Sequence, residues 1–68
     1  MPVDVHLDRL LVERNMTLTE LSEAVGITLA NLSILKTGKA RAIRFSTLEA
    51  LCAALGCQPG ELLSFGYE

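Results

Sequence analysis

Residues 17–39 constrain this chain more than any other stretch. Thr17 is followed three residues later by Glu20, the pattern of a capping box, which satisfies two of the free N–H groups at a helix start. Leu21 and Val25 are four apart and share one face of that helix. Gly26 then supplies the left-handed backbone position that ends it. Ile27 is expected to drop into the core and Thr28 to cap a second helix, whose inward pair is Leu32 and Leu35. Gly38 closes the unit. Two short helices joined by a three- or four-residue turn containing Gly make one supersecondary unit.

Sixty-eight residues support one domain, 1–68, with the paired helices at about 17–36. A domain of this size buries only about 60% of the surface its unfolded chain exposes, so self-association is a common remedy. Half of the residues are hydrophobic, too many for a disordered chain. The longest apolar run, Ala50–Leu55, is far too short for a bilayer span. The N-terminus does not carry a charged segment followed by an apolar one, so no signal peptide is expected and the expected location is cytoplasmic.

The net charge of −2 argues weakly against a nucleic-acid partner, but its distribution argues for one. Lys36, Lys39, Arg41 and Arg44 place four positive charges in nine residues, while all eight acids lie elsewhere with only Arg9 and Arg14 beside them. That is a basic patch on an acidic body.

Around the central unit, other elements follow from spacing. Val3, Val5 and Leu7 alternate with polar residues, as in a short strand, an extended arm or a frayed terminus. Leu7, Leu10 and Leu11 have helical spacing, so a first helix should run from near Leu7 to Arg14, with Asn15 just past its end and Met16 as a hydrophobic staple for the next. After the basic loop, Phe45 is expected to anchor in the core, and Ser46 with Glu49 to form a second capping box. Leu48, Leu51, Cys52 and Leu55 mark a core-facing helix stopped by Gly56. Gln58-Pro59-Gly60-Glu61 opens a further short helix with Leu62 and Leu63 inward. The alternating tail, with Phe65 and Tyr67 apolar, is able to pair with the Val3–Val5 arm within one chain or across a dimer. The expected fold is all-α: five short helices around one core, with extended N- and C-terminal arms.

On these residues the chain resembles the lambda repressor/Cro, or XRE, family of helix-turn-helix regulators. The resemblance rests on Thr17-x-x-Glu20-Leu21, Val25-Gly26-Ile27-Thr28, Leu32-x-x-Leu35, Gly38-Lys39, Phe45, and Leu55-Gly56 followed by Pro59-Gly60-Glu61-Leu62, and covers residues 7 to 63. It implies a sequence-specific transcriptional regulator that binds double-stranded DNA, acts as a homodimer and recognises a pseudo-palindromic operator. It also implies that the helix 29–36 enters the major groove while the helix from Leu18 to Val25 crosses the backbone. Carried over by position, Thr28, Leu29, Ala30, Asn31, Ser33 and Ile34 face bases, and Thr17, Leu18, Lys36, Lys39, Arg41 and Arg44 face phosphates. The dimer surface falls on Leu62, Leu63, Phe65 and Tyr67.

Several of these positions depart from the family habit. Leu18 stands where a Gln usually braces the backbone, and Leu29, Ala30 and Ile34 stand where Gln, Arg or Lys often read bases. Lys36 replaces a frequent Glu. The outward face of the second helix is therefore short of the bidentate readers of guanine and adenine. Such a face fits contacts to thymine methyls and to DNA shape. It also fits a protein-interaction module of the same fold, such as an accessory regulator or an antitoxin-like partner. The four-charge loop favours DNA.

Other chemistry is poorly supported. Cys52 and Cys57 are five apart without a second ligand pair, so they read as buried reduced thiols rather than a zinc site. His6 is alone. Gly38-Lys39 lacks the glycines and preceding strand of a phosphate loop. No catalytic residue, metal, cofactor or small-molecule ligand is expected, and the chain is not expected to be an enzyme.

Overall fold

The computed structural model describes residues 3–66. In chain order the elements are β1 (Val3–Val5), α1 (Leu7–Glu13), α2 (Leu18–Val25), α3 (Leu29–Lys36), α4 (Phe45–Leu55), α5 (Pro59–Leu62) and β2 (Leu63–Phe65). Among the described residues the core is nearly all leucine. Leu7, Leu10 and Leu11 come from α1, Leu21 from α2, and Leu32 and Leu35 from α3. Leu51 and Leu55 of α4, Leu62 of α5 and the Cys57 thiol complete it. Every helix contributes, so no pair of helices could bury its apolar stripe without the others.

The central unit forms as its spacing predicts. Thr17 Oγ1 accepts the Glu20 N–H at 3.1 Å, and Glu20 Oε1 accepts the Thr17 N–H at 2.9 Å. Gly26 has φ +71°, and its N–H donates to Ser22 O at 2.9 Å. The chain bends by 119° between α2 and α3. The Ser22 hydroxyl donates to Ile27 O at 2.5 Å, so one serine holds both sides of the turn. Ile27 is only half-buried, packed against the edge of the core.

Three helices end in one hydrogen-bond pattern. Met16 N–H reaches Leu11 O at 2.9 Å, Lys39 N–H reaches Ile34 O at 3.1 Å, and Cys57 N–H reaches Cys52 O at 3.0 Å. The residue before each donor, Asn15, Gly38 or Gly56, has positive φ. This is the Schellman ending, in which the chain reverses through one left-handed residue.

The terminal arms pair within one chain. β1 and β2 are antiparallel with Val3 opposite Phe65, Asp4 opposite Ser64 and Val5 opposite Leu63. The His6 N–H donates to Leu62 O at 2.7 Å, and His6 Nε2 shares a hydrogen bond with Ser64 Oγ at 2.6 Å. Tyr67 lies outside the described residues.

Two expectations fail at the start of α4. Phe45 does not enter the core and is 80% exposed; Ile43 and Ala40 pack against the core instead and hold the loop down. The helix also begins two residues early. Arg44 is its extended cap residue and Leu48 N–H donates to Arg44 O at 3.0 Å. Ser46 is thus already inside the first turn, where its side chain cannot close a box with Glu49.

Arg14 has a role that its sequence context does not signal. Its Nε donates to Leu55 O at 2.7 Å and Nη2 to Gly56 O at 3.4 Å, so a cation from the end of α1 covers the C-terminus of α4.

These packing roles give a graded stability prediction. Leu51→Ala empties a fully buried site and should cost about 2–5 kcal/mol. Ser22→Ala loses one hydrogen bond at the turn and should cost about 1 kcal/mol. Urea denaturation followed by circular dichroism tests the order; equal losses would contradict it.

Candidate nucleic-acid interface

On the surface of α3, the inward pair Leu32 and Leu35 sets the opposite face outward. Ala30 is exposed, Ile34 is 47% exposed and Leu29 is 44% exposed. Ser33 is half-buried. Asn31 is exposed, and its N–H donates to Thr28 Oγ1 at 3.2 Å. The Thr28 hydroxyl is thus engaged in capping, although its O–H proton remains available to an acceptor.

The loop after α3 runs along one flank of this helix. An open groove of about 370 Å³ lies between them, with Asn31 and Ile34 on the helix side and Lys39, Arg41 and Arg44 on the loop side. Leu35 and Ile43 also line it. The Schellman ending explains the placement of Lys39. Its amide bonds to Ile34 O, so its side chain starts beside Ile34. In the other two such endings the equivalent residue is Met16, packed against the core, or Cys57, within it. Here it is an exposed lysine.

Charge pairing separates the six basic residues into two groups. Arg9 lies 3.8 Å from Glu13, Arg14 lies 3.5 Å from Glu13, and Lys36 lies 3.5 Å from Asp8. Among the described residues, Lys39, Arg41 and Arg44 have no acidic partner within 4.0 Å. The uncompensated cations are thus those of the loop, all three on the groove. The starts of α3 and α4 add to this potential, since neither carries an acid in its first turn, whereas α2 and α5 carry Glu20 and Glu61 there.

Three expected backbone-facing residues fit less well. Lys36 turns to the other flank of α3, toward Asp8 of α1 and the β1 strand, and is not part of the loop cluster. Leu18 is half-buried against the core. At the start of α2, the Glu20 carboxylate already accepts the Thr17 N–H and brings negative charge to a helix end that a phosphate would need clear. The expected dimer residues divide similarly. Leu62 is fully buried in its own core and cannot reach a partner, Leu63 is half-buried, and Phe65 is 56% exposed.

The thiols stand apart from this surface. Cys57 is buried, and Cys52 is half-buried rather than fully so. Among the described residues, no three His, Cys, Asp or Glu side chains converge as metal ligands. Burial pushes the Cys57 thiol above its ordinary value, and the adjacent Cys52 thiol and Glu61 carboxylate act in the same direction. The unfolded chain therefore releases this proton first, near pH about 8.5, while the folded domain keeps it. Stability should be level from pH 7 to 8 and decline as pH rises past the ordinary thiol value. A urea midpoint that stays level to pH 9.5, about one unit above that value, would contradict this; Cys57→Ala should remove the decline.

The family model of the Cro/C1-type HTH DNA-binding domain matches residues 6–66. The chain is also similar to YozG of Bacillus subtilis (strain 168), described as an uncharacterized HTH-type transcriptional regulator. The two are 62% identical over 65 residues, which cover 96% of this chain and 77% of that one. No solved structure is a significant match. Among the described residues, no single helix is long and apolar enough to cross a membrane.

Proposed function

The chain belongs to the Cro/C1-type HTH DNA-binding domains, a family of transcriptional regulators rather than enzymes, and from that membership we propose how it holds DNA. α3 lies in the major groove with Thr28, Ala30, Asn31, Ser33 and Ile34 toward the bases and Leu29 on the shoulder of that face. Lys39, Arg41 and Arg44 reach the phosphates of one strand. The N-terminus of α4, free of acid, faces the same backbone. α2 crosses above the groove as a brace, its Thr17 end closed by the Glu20 carboxylate rather than by a phosphate and Leu18 serving through packing.

One observation carries this reading: the three cations that have no acidic partner among the described residues all line the groove beside α3. A partner for that surface must be anionic along a line. A DNA strand is such a partner, and each phosphate contact releases counterions, so affinity follows salt. The site of action is the compartment that holds the DNA.

Affinity for the strongest duplex recovered from random DNA should fall steeply with salt. Lys39→Ala or Arg41→Ala should reduce the log–log slope by about 0.9 each. Lys36→Ala should change it much less, because Lys36 is directed to Asp8 on the far flank. Equal slopes for the Lys36 and Lys39 variants would remove the assignment of the loop.

The protein is further proposed to act as a homodimer on a pseudo-palindromic operator, with half-sites about one helical turn apart. Support comes from the small core and from the exposed end of the terminal sheet, where Val3 and Phe65 pair beyond the core. Sedimentation equilibrium at the concentrations that bind DNA should give twice the chain mass, and Phe65→Asp should shift it toward the monomer. A wild-type monomer at high concentration would contradict the dimer.

A further inference from the structure

The outward face of α3 differs in composition from the surface beside it. Ile34 and Leu29 leave nearly half of their area in water, and Ala30 between them is exposed. Immediately alongside are three cations that have no acidic partner among the described residues. A partner covering both must offer aliphatic carbon and negative charge within a few ångströms of each other. The major groove of DNA has one apolar group on its floor, the C5-methyl of thymine, and phosphates along both walls.

The alternative base pair fits poorly. Against G·C, an aliphatic side chain would cover guanine N7 and O6 and the cytosine amino group without replacing their hydrogen bonds to water. Against A·T, the methyl takes the aliphatic contact and adenine is left to be read. Asn31, three residues before Ile34 and thus its neighbour on the helix surface, has an amide able to meet adenine N6 and N7. Both residues line the groove next to the loop.

We propose that Ala30 and Ile34 read thymine C5-methyl groups while Asn31 takes adenine, so that the half-site beneath α3 is built of A·T pairs. Discrimination then comes from methyl burial rather than from donors aimed at guanine. The inference rests on the docking of α3 in the major groove proposed above, and goes beyond it by naming the base and the group on the base that is read.

The probe is the strongest duplex recovered by the protein from random DNA at low salt. It is resynthesised with deoxyuridine for thymidine in the half-site, which removes the methyl groups and leaves every hydrogen-bonding edge intact. Affinity should fall about fourfold for each methyl buried. Ile34→Ala, at a half-exposed position where folding can be checked by circular dichroism, should bind the thymine duplex more weakly and show a smaller thymine-to-uracil ratio. Asn31→Ala should lower affinity for both duplexes equally. Equal binding of the two duplexes by the unaltered protein overturns methyl reading whatever the variants do. If Ile34→Ala also leaves DNA affinity unchanged, the face is turned from the bases and is left to a protein partner, which overturns the proposal too. Recovery of no duplex, with no salt-dependent binding to any, overturns the groove docking itself and this inference with it.

Discussion

The angle between α2 and α3 is the constraint on which the surface depends. Leu21 and Leu32 sit in one core from opposite sides of a 119° bend, and both are almost fully buried. Gly26 permits the turn because its backbone is left-handed, a conformation that costs an L-residue roughly 1–2 kcal/mol. Ser22 then holds the turn from inside, accepting the Gly26 amide on its carbonyl and donating its hydroxyl to Ile27. With this angle set, the inward positions of α3 are chosen, and so are the outward ones. Ile34 is exposed because Leu32 and Leu35 are not.

The placement of charge follows from the end of α3. Three helices stop through the same left-handed reversal, which brings the residue after the reversal back beside the last turn of its own helix. Commonly that residue is apolar and packs there. Met16 and Cys57 do so. At α3 the same geometry carries Lys39, and the loop that follows is tied down by Ala40 and Ile43 rather than left free. A device that usually extends the core is used here to set a cation at the rim of a groove. Arg41 and Arg44 share that rim because the segments around them are packed.

Much of the fold was legible because its signals are local. A cap, an apolar repeat and a left-handed stop each involve residues within about one turn of one another, and all five helices carry such signals. What escaped was set by contacts between distant segments. Arg14 covers the end of α4 from 41 residues away, and nothing in its own neighbourhood marks it as a cap. Lys36 looked like part of a run of four cations along the chain. In space its position on the helix turns it to Asp8, and three remain. Ser46 and Glu49 have the spacing of a capping box, but α4 starts from Arg44, with Ile43 before it and Leu48 within it packed against the core, and that start leaves Phe45 outside. The surface face of α3 was legible as composition: its shortage of donors is visible in the residue types alone, whereas the groove that brings Asn31 and Ile34 next to the loop is not.

The net charge of −2 therefore says little about affinity for DNA. Opposite charges act over about 8 Å at physiological ionic strength, while the domain is 35 Å in its longest dimension. In the docking proposed above, a phosphate approaching α3 meets Lys39, Arg41 and Arg44 before it meets the sum of the chain. Acids elsewhere do not cancel these three, since the acids in ion pairs hold Arg9, Arg14 and Lys36 instead. They make other orientations of the domain unfavourable against a polyanion. In the docking proposed above, a small acidic body with a basic edge is turned toward DNA by repulsion as well as attraction, and the edge presented is the one that carries α3.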